Sequence, residues 1–595
     1  MNLQSQTKTG NTAQQVKLNT NVEFAPSDHK FSPNLNNQQS GSLTLVEAVV
    51  KMLESLGVRY AFGVSGGGMA PIWDSLASSG IQVLHFRHEG GAAFAAMESY
   101  FADGHPVVVF TTTGPGITNA LTGLLAARWE GAKVILLSAC TTASQRGRWA
   151  IQETSNFTMP SAEIFTSGSL FHYANTIECT EELLQVARRL ALGLGRPDGF
   201  VAHLSIPTSL QTSLLNTALP RLNPYNSSPS PSKEVVSESV KLLSEGTFAI
   251  WVGFGARGAA AEIRQLAEKT GAAVMCSPRG KGIFPEDHPQ FVGVTGFAGH
   301  QSVVTYMQEE RPLRILVLGT RLSEFTSFWS ATMVPKRGFV HVDIDPDVPG
   351  VAYPSAETFP VHSDVKMFVQ AVLEHLPENL SRAKISLPPG KSAVNPRTEG
   401  PVRPEVLIDA IQRVIVEGSD ALVMAESGNS FAWAIHCLRF IQPGRYRTCN
   451  GFGAMGHFVT GVVGAALARN GKAVAIVGDG AMLMNNEVNT AVKLQIPAVW
   501  IVLNDARYNM CDQGMGVLGF KSIDTKFPPT DFAMLARSMG ADGIRVETEA
   551  DVETALEQAI ASSGPFVIDV VIDPTRLAPS MSRFQSLIEQ GATQF

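Results

Sequence analysis

The chain has 595 residues, 44% of them apolar and 17% charged, with a formal net charge of −7. That is a globular composition too long for one core, for which roughly three domains is the natural prior. The acidic balance offers no basic footprint for nucleic acid, no run of about 18 apolar residues exists to span a membrane, and Cys140, Cys179, Cys276, Cys437, Cys449 and Cys511 form no C-x-x-C pair, so reduced cytoplasmic thiols are expected.

Residues 1–42 are rich in Asn, Gln, Ser and Thr and lack both an apolar face and a hydrophobic signal-peptide region, so a disordered N-terminal tail is expected. Residues 43–215 alternate strand-like AFGVSG, QVLHF, PVVVFTT, KVILLSA and FVAHLSI with helix-length segments such as GAAFAAMESYFAD. A Pro/Ser/Asn-rich linker covers 216–233. Residues 234–376 carry TFAIWVG, AAVMCS, RILVLG and GFVHVDID, and a second proline-rich linker covers 377–403. Residues 404–575 carry ALVMAES, AVAIVG, AVWIVLN and PFVIDVVI, leaving 576–595 as a C-terminal tail. Continuous apolar strands alternating with helices predict an α/β chain of three tandem Rossmann-like domains with parallel sheets.

The most informative segment is GDGAMLMNNEVNTAVKLQIPAVWIVLNDARYNM, residues 478–510. It is a strand–loop–helix–strand unit with Asp479 after one strand and Asn504-Asp505 after the next. Oxygen ligands at two strand ends suit Mg²⁺ or Ca²⁺ holding a phosphate group, and Gly478 and Gly480 let backbone approach that phosphate. Glu426-Ser427-Gly428-Asn429-Ser430 ends another strand at a helix start, where N–H groups suit the far oxygens of a diphosphate. Glu89 follows the strand QVLHF at a helix N-terminus, a ligand-binding position in open α/β sheets, although an isolated Glu there is usually a solvated one. Thr113-Gly114-Pro115-Gly116 is either a tight strand-to-helix turn or a second close backbone approach. Gly253-Phe254-Gly255-Ala256-Arg257-Gly258 is a GxGxxG look-alike, a weak signal alone.

Together FGVSGGGMAPIWDSL, RHE, TTTGPGITNALTGL, HVDIDP, GFGAMG and GDG…ND resemble the thiamine-diphosphate enzymes of the acetohydroxyacid synthase, pyruvate oxidase and benzoylformate decarboxylase superfamily. The resemblance implies that Glu89 activates the cofactor. It implies a cofactor site of Gly428, Asn429, Ser430, Gly453, Met455, Gly478, Gly480, Ala481, Met482, Asn509 and Met510. The Gly453 carbonyl would accept the 4′-amino group, and Met455 would bend the cofactor. Mg²⁺ would be held by Asp479, Asp505 and the Arg507 carbonyl. FAD is left open, because the central domain binds it in some members only. Glu89 reaches a cofactor held by a second subunit in this superfamily, which implies a homodimer or a dimer of dimers, with 2-oxo acids as its small-molecule substrates.

The expected substrate pocket comprises Gly66, Gly114, Cys140, Phe325, Cys511 and Gly514. Phe325 stands where synthases carry an Arg that holds the acceptor's carboxylate, Gly514 where they carry a Trp, and Cys140 where they carry a Gln. Asp505 replaces the usual Asn, and Asn509 the usual Gly, tolerated if the turn there is left-handed. A lost clamp and a missing Trp point to larger or aromatic substrates, unless Trp149 or Trp329 refills the space. Decarboxylases of this group protonate the nucleophilic carbon with paired histidines, and the chain has no His-His. Carboligation (acyloin formation) therefore ranks first, ahead of an ordinary acetolactate synthase, a 2-oxo acid decarboxylase, a flavin-linked oxidase or a non-catalytic paralogue.

Overall fold

The computed structural model describes residues 43–592 apart from 156, 159–163, 217, 220–221, 223–224, 226, 377–394, 450, 485–486 and 521–523. The tail 1–42 and most of the linker 377–403 lie outside the described residues. The strands form three six-stranded sheets, parallel throughout. The first contains β1 (Tyr60–Val64), β2 (Gln82–His85), β3 (Val107–Thr111), β4 (Lys133–Cys140), β5 (Tyr173–Thr176) and β6 (Phe200–Pro207), in the order β2-β1-β3-β4-β6-β5. The second contains β7 (Phe248–Val252), β8 (Ala273–Cys276), β9 (Phe291–Val294), β10 (Arg314–Leu318), β11 (Phe339–Asp343) and β12 (Thr358–His362), in the order β12-β11-β10-β7-β8-β9. The third contains β13 (Leu422–Ala425), β14 (Tyr446–Thr448), β15 (Ala473–Gly478), β16 (Ala498–Asn504), β17 (Asp542–Val546) and β18 (Phe566–Val571), in the order β14-β13-β15-β16-β18-β17.

The first and third sheets therefore share one topology, and the middle sheet has the doubly wound order of dinucleotide-binding folds. The inner strands are apolar along their length because helices cover both faces: every residue of β3, β7, β10 and β11 is buried. Five strands have no counterpart in the sequence reading: β5, β9, β12, β14 and β17. All five are sheet edges. An edge strand needs only one neighbour and tolerates polar residues and Pro, so TFPVH and DGIRV carry no apolar run. Among the described residues no helix is long and apolar enough to cross a membrane.

Two helices join the first and third sheets: Glu89–Asp103 packs along His457–Ala468. The contact is close because the facing residues are small. A Cβ added to Gly464 would lie 2.1 Å from the Ala95 carbonyl oxygen. Gly464→Ala must push two backbones apart, which is expected to cost on the order of 1–3 kcal/mol, read as a lower urea midpoint at unchanged slope.

A buried ionic cluster pins the same helix pair. Arg447 donates two hydrogen bonds to the Glu98 carboxylate, at 2.9 and 2.6 Å, and His457 Nε2 lies 2.9 Å from it. Burial opposes the Glu98 charge, but Arg447 and His457 hold its carboxyl down at about 2. Burial likewise opposes the His457 charge, while the Cys449 sulfur and Glu98 raise the imidazole to about 10. The lowered Glu98 stabilises the fold fully above its unfolded value and is lost as pH falls towards 2. The raised His457 contributes fully below 6.5 and is lost as pH rises through 10. Thermal stability is therefore expected to decline from pH 7 to 10, and His457→Gln to flatten that alkaline slope in a melting series.

Candidate active site

In the third sheet the strand order reverses between β13 and β15, and open parallel sheets bind ligands in the crevice such a reversal leaves. Gly428, at φ 134°, starts the helix Asn429–Cys437 after β13, and Gly478 precedes Asp479 after β15. A Cβ added at Gly478 meets nothing within 4 Å, and at Gly428 only Ser430 Oγ at 3.9 Å. Both glycines thus border open space. That space is a cavity of about 370 Å³.

The cavity brings together most of the expected cofactor and metal set: Gly428, Asn429, Ser430, Gly453, Met455, Gly478, Asp479, Gly480, Ala481, Asp505, Arg507, Asn509 and Met510 all line it. Met482 does not; it is 3% exposed and packs into the core on the inner side of its short helix. Glu426 is structural as well. Its buried carboxylate accepts the N–H groups of Ser427, Phe458 and Val459, which fixes the start of the helix His457–Ala468. The Gly453 carbonyl accepts a hydrogen bond from Ser427 Oγ at 3.0 Å.

Three backbone N–H groups converge on the Asp479 carboxylate, from Gly480 at 2.7 Å, Asp505 at 3.0 Å and Ala506 at 2.6 Å. This locks the loop after β16 onto the loop after β15. Asp505 lies beside Asp479, and burial together with that neighbouring charge pushes its carboxyl up to about 7. Asn504 points away, donating to Asp569 and the Thr530 carbonyl at 2.8 Å each. The left-handed turn expected at Asn509 is not there. The left-handed residue is Ala506, at φ 55°, and Asn509 opens the helix Asn509–Leu518. Its side chain is used instead, donating to the Asp505 carboxylate and to the Pro574 carbonyl. The Arg507 carbonyl accepts the Asn509 N–H at 2.9 Å.

Glu89 is buried at the first turn of its helix, where Asn119 Nδ2 donates to its carboxylate at 3.0 Å. Gly116 of the Gly-Pro-Gly corner borders that carboxylate: an added Cβ would sit 3.3 Å from Glu89 Oε1. Gly114, at φ 60°, donates its N–H to Thr154 Oγ1. Gly66 backs onto Thr112. Cys140 ends β4, with burial pushing its thiol up. These residues belong to the first sheet, and none of them lines the cavity of the same chain.

The pocket wall differs from expectation at Gly514. The space beside it is filled by Phe584, whose ring lies 2.4 Å from where a Gly514 Cβ would be. Trp149 and Trp329, the candidates to refill it, are 89% and 52% exposed. Phe584 belongs to a helix, Met581–Glu589, within the stretch 576–595 read as a tail. Phe584 and Leu587 at i, i+3 gave a signal for it, but the segment is short and flanked by polar residues. Gln513 ties the approach to this helix down, accepting the Ala578 N–H and donating to the Arg576 carbonyl. Phe325 and Cys511 do line the cavity, and Phe431 stacks on both Phe325 and Phe297, which lie tilted against each other. Sequence reasoning missed Phe431, Arg583 and Tyr508, whose ring packs over Gly480.

The central-sheet loop Gly253–Gly258 uses its glycines for backbone packing. A Cβ at Gly253 would meet Thr320 Cβ at 2.3 Å, and the Gly255 N–H donates to the Gly319 carbonyl.

The residues fit a divalent cation and a diphosphate. The buried Asp479 carboxylate and the half-buried Asp505 carboxylate lie close enough for the Asp479 charge to act on Asp505, and the side-chain oxygens of Asn429 and Asn509 are buried without a hydrogen-bond partner. No cluster of three or more His, Cys, Asp or Glu that could hold a metal ion exists among the described residues, so carbonyl and phosphate oxygens would have to complete the shell of a cation there, donors that Mg²⁺ takes.

Comparison with known proteins agrees with this geometry. Residues 43–159, 238–372 and 426–570 match, in turn, the N-terminal TPP binding domain, the central domain and the C-terminal TPP binding domain of thiamine pyrophosphate enzymes. Acetolactate synthase of Mycobacterium bovis is 29% identical over 89% of this chain and 88% of its own length. The acetolactate synthase isozyme 1 large subunit of Escherichia coli is 27% identical over 89% and 94%, and a probable large subunit of Methanocaldococcus jannaschii is 26% identical over 90% and 92%. With all three sheets matched and the diphosphate loops in place, the chain belongs to the thiamine pyrophosphate enzymes, in their acetolactate synthase-like superfamily, with thiamine diphosphate as its cofactor.

Proposed function

We propose that this enzyme is a carboligase that decarboxylates one 2-oxo acid and joins the remaining acyl fragment to a second carbonyl compound, favouring bulky or aromatic partners. Thiamine diphosphate supplies the electron sink that lets a 2-oxo acid lose CO₂. The chain's own residues do the rest. Asp479 and Asp505, with the Arg507 carbonyl, would hold Mg²⁺ and through it the diphosphate. The N–H groups at the start of the Asn429 helix would donate to the phosphate oxygens, for which Gly428 and Gly478 leave room. Ser427, the Gly453 carbonyl and Met455 would orient the cofactor's rings. Glu89 would exchange a proton with the aminopyrimidine. Glu89 of one chain acts on the cavity of a second copy, so the working unit is a homodimer or a dimer of dimers.

One observation carries the ligase reading over simple decarboxylation. The cavity that contains the metal-binding pair is walled in part by Phe325, Phe431, Met510 and Ile572, and no histidine is among the described residues that line it. Without an imidazolium to protonate it, a nucleophilic carbon beside that wall is left for a carbon electrophile. Phe325 and Phe431, stacked on each other, both line the cavity and offer an aryl group an aromatic contact, worth about 0.5–1.5 kcal/mol beyond area burial. Phe584 removes the room expected at Gly514, so the aromatic preference rests on this wall alone.

The test is a panel of paired 2-oxo acids given to enzyme loaded with thiamine diphosphate and Mg²⁺, with products resolved by mass. Carbon–carbon-coupled products with one CO₂ released per bond are expected. Free aldehyde as the sole product would make the enzyme a decarboxylase.

A further inference from the structure

We propose that Arg583, on the last helix of the chain, recognises the carboxylate of the acceptor, and that Glu324 is its positioning residue. The acceptor is then a 2-oxo acid and not an aldehyde. This deepens the carboligase reading and rests on it.

Among the described residues lining the cavity there are two carboxylates, Asp479 and Asp505, and two cations, Arg507 and Arg583. The carboxylates are committed to the metal. Arg507 sits on the metal loop, its guanidinium 3.4 Å from Asp512. Arg583 is the cation tied to the residue next to Phe325, so a carboxylate-bearing substrate whose body lies against that wall meets Arg583. Phe325 cannot supply a counter-charge.

The placement of Arg583 is built. Its guanidinium is ion-paired with Glu324, the residue immediately before Phe325. The same Glu324 oxygen accepts from Ser586 Oγ at 3.1 Å and from Gln590 Nε2 at 2.8 Å. Two donors from this helix and one from its C-cap thus meet one carboxylate, and Phe584 seats the helix on Gly514. Arg583 is a quarter exposed. One Nη bonds Glu324, leaving other donors of the guanidinium for a second carboxylate.

Donor and acceptor differ in what their carboxylates undergo. The donor's leaves as neutral CO₂, so a cation bound to it stabilises the ground state more than the transition state and slows the step. The acceptor keeps its carboxylate while the new carbon–carbon bond forms and its carbonyl oxygen takes a proton. A fixed cation helps only the second.

The experiment uses the full chain loaded with thiamine diphosphate and Mg²⁺, pyruvate as donor, and phenylpyruvate or phenylacetaldehyde as acceptor. Arg583→Met keeps the length of the side chain and removes its charge. Its kcat/KM for phenylpyruvate as acceptor is expected to fall about 10- to 100-fold, the range of a lost charge-assisted hydrogen bond. That fall should exceed the fall for phenylacetaldehyde at least tenfold. Arg583→Lys should restore part of the loss, and Glu324→Gln should show the same acceptor selectivity with a smaller fall. Equal falls for both acceptors, or no fall for phenylpyruvate, would overturn the assignment; circular dichroism and cofactor affinity report whether a variant has simply misfolded. If the wild type couples no pair at all, the carboligase reading fails by itself. Arg583 is then judged by calorimetry with 3-phenylpropanoate and its amide. Carboxylate binding lost in Arg583→Met supports it, and equal binding by both proteins sinks it.

Discussion

Asp479→Ala is expected to abolish Mg²⁺-dependent retention of thiamine diphosphate, whereas Asp505→Asn should retain it. Asp479 has two jobs. Its carboxylate would hold the cation, and it also gathers the Gly480, Asp505 and Ala506 N–H groups that lock two loops together. Even residues that merely orient a metal ligand are worth about 10–100-fold in metal affinity, so losing Asp479 should cost more than about 100-fold. Asp505 starts from a poorer position. Burial and the Asp479 charge raise it to about 7, so part of the metal's binding energy goes into deprotonating it. Asparagine offers an oxygen without that repulsion, and its effect should stay within about tenfold. Titrating Mg²⁺ against cofactor binding in the three proteins decides this. Equal loss in both variants would remove the distinction drawn between the two carboxylates.

Glu89→Gln should leave the fold and cofactor binding in place and slow the reaction by about 10²–10⁴-fold, the usual worth of a general acid–base group. An amide cannot share a proton with the pyrimidine nitrogen. Local structure should survive, because Gln can still accept from Asn119 Nδ2. The direct readout is hydrogen–deuterium exchange at C2 of the bound cofactor, followed by quench NMR. Wild-type exchange in the variant would take Glu89 out of the mechanism.

The inner strands and the diphosphate loops were legible in the sequence for one physical reason. Strands covered on both faces must be continuously apolar, and loops that approach a phosphate need glycine. β15 and Gly478-Asp479-Gly480 show both. The edge strands were not legible because one face and one hydrogen-bonding side are free. β17, DGIRV, is mostly half-exposed and carries Asp, Gly and Arg. Asn509 was misread because a permissive residue type suggested a left-handed turn. Its backbone is helical, and the strain falls on Ala506. Gly514 shows the limit of reading a pocket one position at a time. A residue small enough to open space invites something to fill it, and Phe584 arrives from a segment distant in sequence. The same helix brings Arg583 to the cavity.

The central claim is that the cavity joins two carbonyl compounds and favours flat, bulky ones. The most direct measurement is a competition in which the loaded enzyme receives pyruvate and phenylpyruvate together, with coupled products quantified by mass. The account predicts aryl-bearing acyloins, with kcat/KM for phenylpyruvate at least about tenfold above that for pyruvate self-condensation, a gap of about 1.4 kcal/mol. Efficient acetolactate formation with no aryl-bearing product would contradict it.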